Sequence, residues 1–224
     1  MNCYQIADVI WKIPLNHSRT KKMLLPYMVE SQDFQEEVPV FVGDFAGEST
    51  GVLRHIHMRL VDRFDGLMLH GAAICYRGKA YLFVAPPGTG KTTHVRLWQR
   101  QLGDTVRILN GDKPFLRLQG KQIMVYGGPW QGKEHLGCND VCPLGGIYLL
   151  KRDLNNRIER PTTCEVVGQL LRATFLPDDL PGKLKLLSLL ETVYTRVPVR
   201  ELWCNTRAEA VDVVKDHIHS KENV

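Results

Sequence analysis

The stretch from Ala80 to Leu102 constrains this chain more than any other. Ala80-Tyr81-Leu82-Phe83-Val84-Ala85 is a short, nearly all-apolar run, the pattern of a strand buried on both faces. Pro86-Pro87-Gly88-Thr89-Gly90 breaks it, and Thr92 to Leu102 reads as a helix. A strand that turns through glycines straight into a helix is a unit of layered α/β proteins. Gly88 and Gly90 permit the tight turn and let backbone amides point inward. A helix beginning near Lys91 aims its partial positive end at the same spot. Anions are therefore the expected guests. Ala85 to Thr92 match the phosphate-binding strand–loop–helix pattern at every position but the first, where Ala replaces Gly. The expected ligand is a nucleoside triphosphate, ATP first; the lack of a guanine-reading Asn-Lys-x-Asp does not decide between ATP and GTP. Pro87, Gly88, Thr89, Gly90, Lys91 and Thr92 would cradle it, and Thr93 would order the turn. Lys91 would reach the β- and γ-phosphates and the Thr92 hydroxyl would sit on Mg²⁺.

The remaining pattern predicts alternating strands and helices. Cys3–Ala7 and Val38–Val42 read as short strands of a small β-rich N-terminal unit spanning 1–49. Residues 50–66 read as a helix, because Val52, Ile56, Leu60 and Phe64 recur every four positions. Leu67–Tyr76 reads as one apolar strand, joined to the next by the tight turn Arg77-Gly78-Lys79. Val106–Leu109 is a buried strand ending at Asn110-Gly111-Asp112. Phe115–Leu118 and Gln122–Tyr126 form a hairpin, and Leu144–Leu150 is another buried strand. Helices are expected over 163–175, 183–194 and 207–219, with a strand at Val199–Trp203. The fold class is α/β: a mixed-sheet core over 50–224 behind the small N-terminal unit.

Phosphoryl chemistry needs a carboxylate near the metal, usually at the end of a neighbouring strand. Asp112 occupies that place, although Gly111-Asp112 also suits a plain turn. His70 reads equally as a hydrogen-bonded histidine at a strand end or as an acid–base group. Lys133, in the loop Gly132-Lys133-Glu134-His135, reads as a stabiliser of phosphate oxygens or as an exposed lysine. Glu134 is a weaker metal candidate. Arg152 reads as a group near the nucleotide or acceptor, or as a surface ion-pair partner. His55 and His57, two apart on a helix, read as surface or partly buried residues. Trp98 is expected to pack on the sheet.

His70-Gly71, Gly88-Thr89-Gly90-Lys91-Thr92 and Asn110-Gly111-Asp112 resemble, in order and spacing, the motifs of HPr kinase/phosphorylase. Gly127-Gly128-Pro129-Trp130-Gln131-Gly132-Lys133 and the run Pro143–Arg152 are similar to the small HPr-kinase-related proteins, including the lasso-peptide-associated kinases. The resemblance spans roughly residues 50 to 219. It implies a P-loop core of the phosphoenolpyruvate carboxykinase type. It also implies ATP- and Mg²⁺-dependent phosphoryl transfer to a serine-type hydroxyl, with His70, Asp112 and Lys133 catalytic and Thr92 and Asp112 on the metal. The family usually carries two adjacent aspartates, and Gly111 stands where the first belongs. The acceptor is expected to be a peptide or protein; a small hydroxylated molecule such as free serine remains open. So does a nucleotide-binding regulatory protein without turnover.

Composition adds limits. Among 224 residues, 44% are hydrophobic and 24% charged, which is ordinary globular usage. The net charge of +5 is not gathered into a basic run, so no nucleic-acid partner is expected. No apolar stretch reaches the ~18 residues of a membrane span, and no signal segment is recognised. The six cysteines are dispersed without a Cys-x-x-Cys pair, so reduced thiols in a cytoplasmic protein are expected.

Overall fold

The computed structural model describes residues 2–222. β1 (Asn2–Ile6) and β2 (Val9–Ile13) form a hairpin about Ala7-Asp8, both at positive φ. With β3 (Met28–Val29) and β4 (Glu36–Glu37) they make a four-stranded sheet in the order β3-β1-β2-β4. Val38–Val42 does not form the expected strand. Val38 donates to the Lys12 carbonyl, but Pro39 has no N–H to continue a ladder. The polar stretch between the strands holds α1 (Ser18–Leu24). Its N-terminal end is capped from far away: the Glu48 carboxylate accepts from the Asn16 and His17 amides.

Glu48 belongs to α2 (Phe45–Arg63), which starts five residues earlier than the periodicity suggests. Asp44 caps it by accepting from the Gly47 amide. His57 on this helix is fully buried rather than at the surface. Its Nδ1 accepts from the Met68 amide and its Nε2 donates to the Phe175 carbonyl. Burial pushes its pKa down to about 4, so the ring is a neutral staple.

The main sheet contains β5 (Gly66–Met68), β6 (Gly71–Tyr76), β7 (Lys79–Val84), β8 (Val106–Asn110), β9 (Phe115–Gln119), β10 (Gln122–Tyr126), β11 (Val141–Arg152), β12 (Arg157–Glu159) and β13 (Val199–Cys204). The order is β5-β9-β10-β11-β7-β6-β8, with β13 beside β11 and β12 beside β13. β11 runs parallel to β7 and β13, whereas the other pairs are antiparallel, so the sheet is mixed as expected. β11 is long and bulges between Leu144 and Gly146; its first residues pair with β10 and its later ones with β7. The expected turn joins β6 to β7, with Arg77 and Gly78 both at positive φ.

Helices cover both faces. α3 (Lys91–Leu102) and α6 (Glu209–Glu222) pack Val95, Trp98, Val211 and Val214 against Ile74, Phe83 and Tyr148. α4 (Thr163–Arg172) and α5 (Leu180–Arg196) pack Val166, Leu170, Leu186 and Leu190 against Leu82, Val84 and Leu149. Alternate residues of β7 thus serve opposite layers, which is why its sequence is apolar throughout. A third cluster joins Trp11, Ile13 and Tyr27 of the N-terminal region to α2, Phe115 and Trp130. No helix among the described residues is long and apolar enough to cross a membrane.

Two further expectations fail. Leu67–Tyr76 is not one strand: β5 pairs with β9 and β6 with β7 and β8, so the chain steps between partners at Leu69-His70. The cysteines are not all free, because Cys75 of β6 and Cys142 of β11 are joined by a disulfide across 67 residues of sequence. Sheet curvature, invisible in local spacing, brings them together, and the cysteine argument for a reducing compartment falls away.

Candidate active site

The glycine loop leaves β7 at Ala85 and enters α3 at Lys91. Gly88 and Gly90 take φ of +78° and +116°, and a Cβ added at either would meet nothing within 4 Å. Their glycine character is therefore conformational, and open space lies before the loop. The carbonyls are gathered on one side. Lys91 Nζ donates to the Ala85 carbonyl at 2.8 Å and the Pro86 carbonyl at 3.3 Å. Arg152, at the end of β11, donates to the Thr89 carbonyl at 3.1 Å and to the Gly88 carbonyl. In a planar trans peptide this turns the Gly90 amide the other way. α3 has no side-chain cap and no acidic residue in its first turn, so its N-terminal amides and positive end are left to an anion. Thr92 is half-buried at this end and Thr93 is exposed.

The carboxylate comes from the next segment. Asn110 ends β8 fully buried, and its Oδ1 accepts from the amides of Asp112 and Lys113 at 2.9 and 2.8 Å. This Asx turn directs Asp112 back toward the loop. The Asp112 carbonyl accepts from the Gly71 amide at 2.9 Å, fixing Asp112 beside the step at His70. A Cβ at Gly71 would lie 2.9 Å from the Phe83 carbonyl, so only glycine allows that close approach. His70 Nε2 lies 3.1 Å from Asp112 Oδ1, and its own amide donates to the Ala173 carbonyl at the end of α4. Asp112 Oδ2 contacts Lys113 Nζ. Burial alone would raise the Asp112 pKa, but the bonds from His70 and Lys113 outweigh it and hold it at about 2. Burial lowers the Lys91 pKa, and the nearby Asp112 charge opposes that. Lys91, Asp112 and His70 thus form one cluster. In the tautomer with Nε2–H facing Asp112, Nδ1 is the acceptor nitrogen of His70.

Lys133 is not in this cluster. It is exposed, on a loop whose Gly132 lies against Asp112: a Cβ there would be 3.1 Å from that of Asp112. Glu134, considered for the metal, instead pairs with Arg96 of α3 at 2.5 Å. Trp130 anchors the loop to α2, donating through Nε1 to Ser49 Oγ at 3.0 Å. Arg152 holds loop carbonyls rather than a surface carboxylate. His94 is buried and accepts from Trp98 Nε1, and burial pushes its pKa down to about 3.

Two participants escaped sequence reasoning: Lys113 and the end of α4. Gln169 and Arg172 of α4, with His70 and Pro86, line a cleft of about 270 Å³ beside the histidine. Only Lys113 had a sequence signal, being the residue after the expected carboxylate.

No three or more His, Cys, Asp or Glu side chains among the described residues cluster as a metal site. A phosphate-bound Mg²⁺ needs less, since one or two protein oxygens suffice when phosphate and water supply the rest. Thr92 and Asp112 match that donor chemistry, and the Lys113 ammonium already places a cation on Asp112.

No protein-family model and no curated protein matches the chain. Among solved structures it has a distant likeness of fold to the HPr(Ser) kinase/phosphatase from Coxiella burnetii. The identity is 10% and the TM-score 0.39, over 70% of this chain and 93% of that one.

Proposed function

We propose that the protein is an ATP- and Mg²⁺-dependent kinase that transfers the γ-phosphoryl group to a serine-type hydroxyl of a peptide or protein. The observation that carries this reading is the His70–Asp112 pair standing beside Lys91 of the glycine loop. A loop alone binds phosphate; an acid–base pair next to its lysine adds a place for chemistry. Lys91 and the amides at the start of α3 would hold the β- and γ-phosphates. Lys91 would exchange the Ala85 and Pro86 carbonyls for phosphate oxygens. Thr92 and Asp112 would hold Mg²⁺, with Lys113 giving way to it. The acceptor oxygen attacks the γ-phosphorus, the bond to the bridging oxygen breaks, and ADP leaves. The hydroxyl proton has two possible takers. Asp112, held at about 2, is a weak base at neutral pH, so His70 Nδ1 is the better one. Lys133, exposed and next to Gly132, would meet developing charge on the transferred group.

The small cleft beside His70, about 270 Å³, favours a second reading in which the acceptor is a small hydroxylated molecule such as free serine. Incubation with γ-labelled ATP and Mg²⁺ separates the readings. Serine-containing peptides and free serine would be supplied in parallel. Label on peptide supports the first reading and label on serine the second. ATP binding with no transfer to any acceptor would leave a nucleotide-binding regulatory protein.

A further inference from the structure

The N-terminal region takes no part in the chemistry above, yet it builds one wall of a cavity of about 480 Å³. Its apolar surface comes from Met23, Phe45 and Pro129, and Arg19 and Lys22 add positive charge. Among the described residues no carboxylate lines it. Arg19 lies over the Phe45 ring, 4.4 Å from the centroid. Among the described residues neither Arg19 nor Lys22 makes an ion pair, and both are exposed. Two cations without a carboxylate partner among the described residues therefore stand beside apolar surface that is open to solvent.

The opposite wall is the loop 129–135, which also backs the candidate catalytic carboxylate. Pro129, Gln131 and His135 face the cavity, and Gly132 between them rests on Asp112. Trp130 bonds Ser49 and Gln131 Nε2 donates to the Tyr27 hydroxyl, so both sides of the loop are held to the N-terminal half. The cavity and the candidate site thus share this loop: Pro129, Gln131 and His135 face the one, and Gly132 lies against Asp112 of the other.

We propose that this groove docks the phosphoryl acceptor, and that the acceptor is a peptide segment with acidic residues beside a large apolar one, flanking its serine. The proposal rests on the kinase reading for the identity of the occupant. Charge complementarity selects the acidic residues, and the apolar surface selects the neighbour. An anionic lipid surface fits less well: such surfaces are bound by clusters of roughly four to eight cations, and this concave site has two permanent ones.

The test uses the full chain and short fluorescein-labelled peptides carrying one serine. One peptide is rich in Glu and Leu, one in Lys and Leu, and one in Glu and Gly. Fluorescence anisotropy should rank the Glu–Leu peptide tightest. The double variant Arg19→Glu with Lys22→Glu, on exposed side chains, should weaken it about tenfold and reverse the preference between acidic and basic peptides. ATP affinity should stay unchanged. In the transfer assay the same variant should raise KM for the Glu–Leu peptide and leave kcat alone. Equal binding of acidic and basic peptides by the unmodified protein overturns the proposal. So does unaltered affinity in the double variant, or binding only to phosphatidylserine vesicles. Charge-dependent peptide binding without transfer sinks the kinase reading and leaves the groove standing as a peptide site. Transfer whose KM ignores charge reversal sinks the groove and spares the kinase reading.

Discussion

The two sides of the candidate site are built in opposite ways. On the phosphate side, the groups that would meet the phosphates lie between Val84 and Thr93, a strand end, two glycines at positive φ and an uncapped helix start, with Arg152 bracing the loop carbonyls from β11. On the hydroxyl side, His70, Asp112, Gly132 and Arg172 come from four separated segments. A further wall comes from the N-terminal region. Local backbone conformation makes the first, and tertiary packing makes the second. A function that depends on local geometry survives large changes elsewhere, whereas an assembled site changes whenever one supporting segment does.

The largest expected effect is on the local side. Lys91→Ala should weaken ATP binding at least about 100-fold, since it removes the charged donor from a site of otherwise neutral amides. Titration calorimetry with Mg·ATP measures it, and affinity like that of the unmodified chain would break the assignment of the loop. Next comes the assembled side. Asp112→Asn should leave ATP affinity within a few-fold and cut phosphoryl transfer about 100-fold, because it disrupts both metal support and the orientation of His70. The same variant has a pH signature. The Asp112 pKa falls from 3.8 to about 2 on folding, so its stabilisation is complete above the free value and is lost as pH falls through the folded one. Asp112→Asn should therefore flatten the acid-unfolding curve between about pH 4 and 2. A curve of unchanged shape would mean that the His70 and Lys113 bonds do not hold the carboxylate in solution.

The same contrast explains what the sequence disclosed. β7, the glycine loop, α3 and the turn at Arg77-Gly78 are legible because each is set by a few adjacent residues. Asp112 is legible because it follows a buried strand. The step at Leu69-His70 is not, because a continuous apolar run cannot show that its two halves pair with different strands. α1 is hidden because its cap is Glu48, about thirty residues away, and such a cap leaves no local motif. The start of α2 is hidden because the apolar repeat at Val52, Ile56, Leu60 and Phe64 does not extend back to Glu48. Gly51 inside the helix serves packing: a Cβ there would lie 2.4 Å from the Phe41 ring. The Cys75–Cys142 bond and the Arg172 cleft likewise exist only after the sheet has curled and α4 has docked.

Gly111 gives the smallest effect and the sharpest view of the assembled side. Its amide donates to the Leu136 carbonyl at 2.8 Å, and a Cβ would lie 3.1 Å from that of Leu136 and 3.2 Å from its carbonyl oxygen. The Gln131 carbonyl stands 3.4 Å away on the same side. An aspartate here would crowd Leu136 and point its charge at two carbonyl oxygens, next to Asp112. Gly111→Asp should therefore cost about 1–2 kcal/mol. For a chain of this size that is a fall in Tm of about 2–8 °C. Gly111→Ala, which adds bulk without charge, should cost less. Neither should raise phosphoryl transfer, because the loop that lies against Asp112 occupies the space a second carboxylate would need. If Gly111→Asp melted like the unmodified protein and transferred phosphate faster, that loop would have to yield readily. The hydroxyl side would then be an adjustable surface rather than a packed one, and the contrast with the glycine loop would be one of rigidity as well as of assembly.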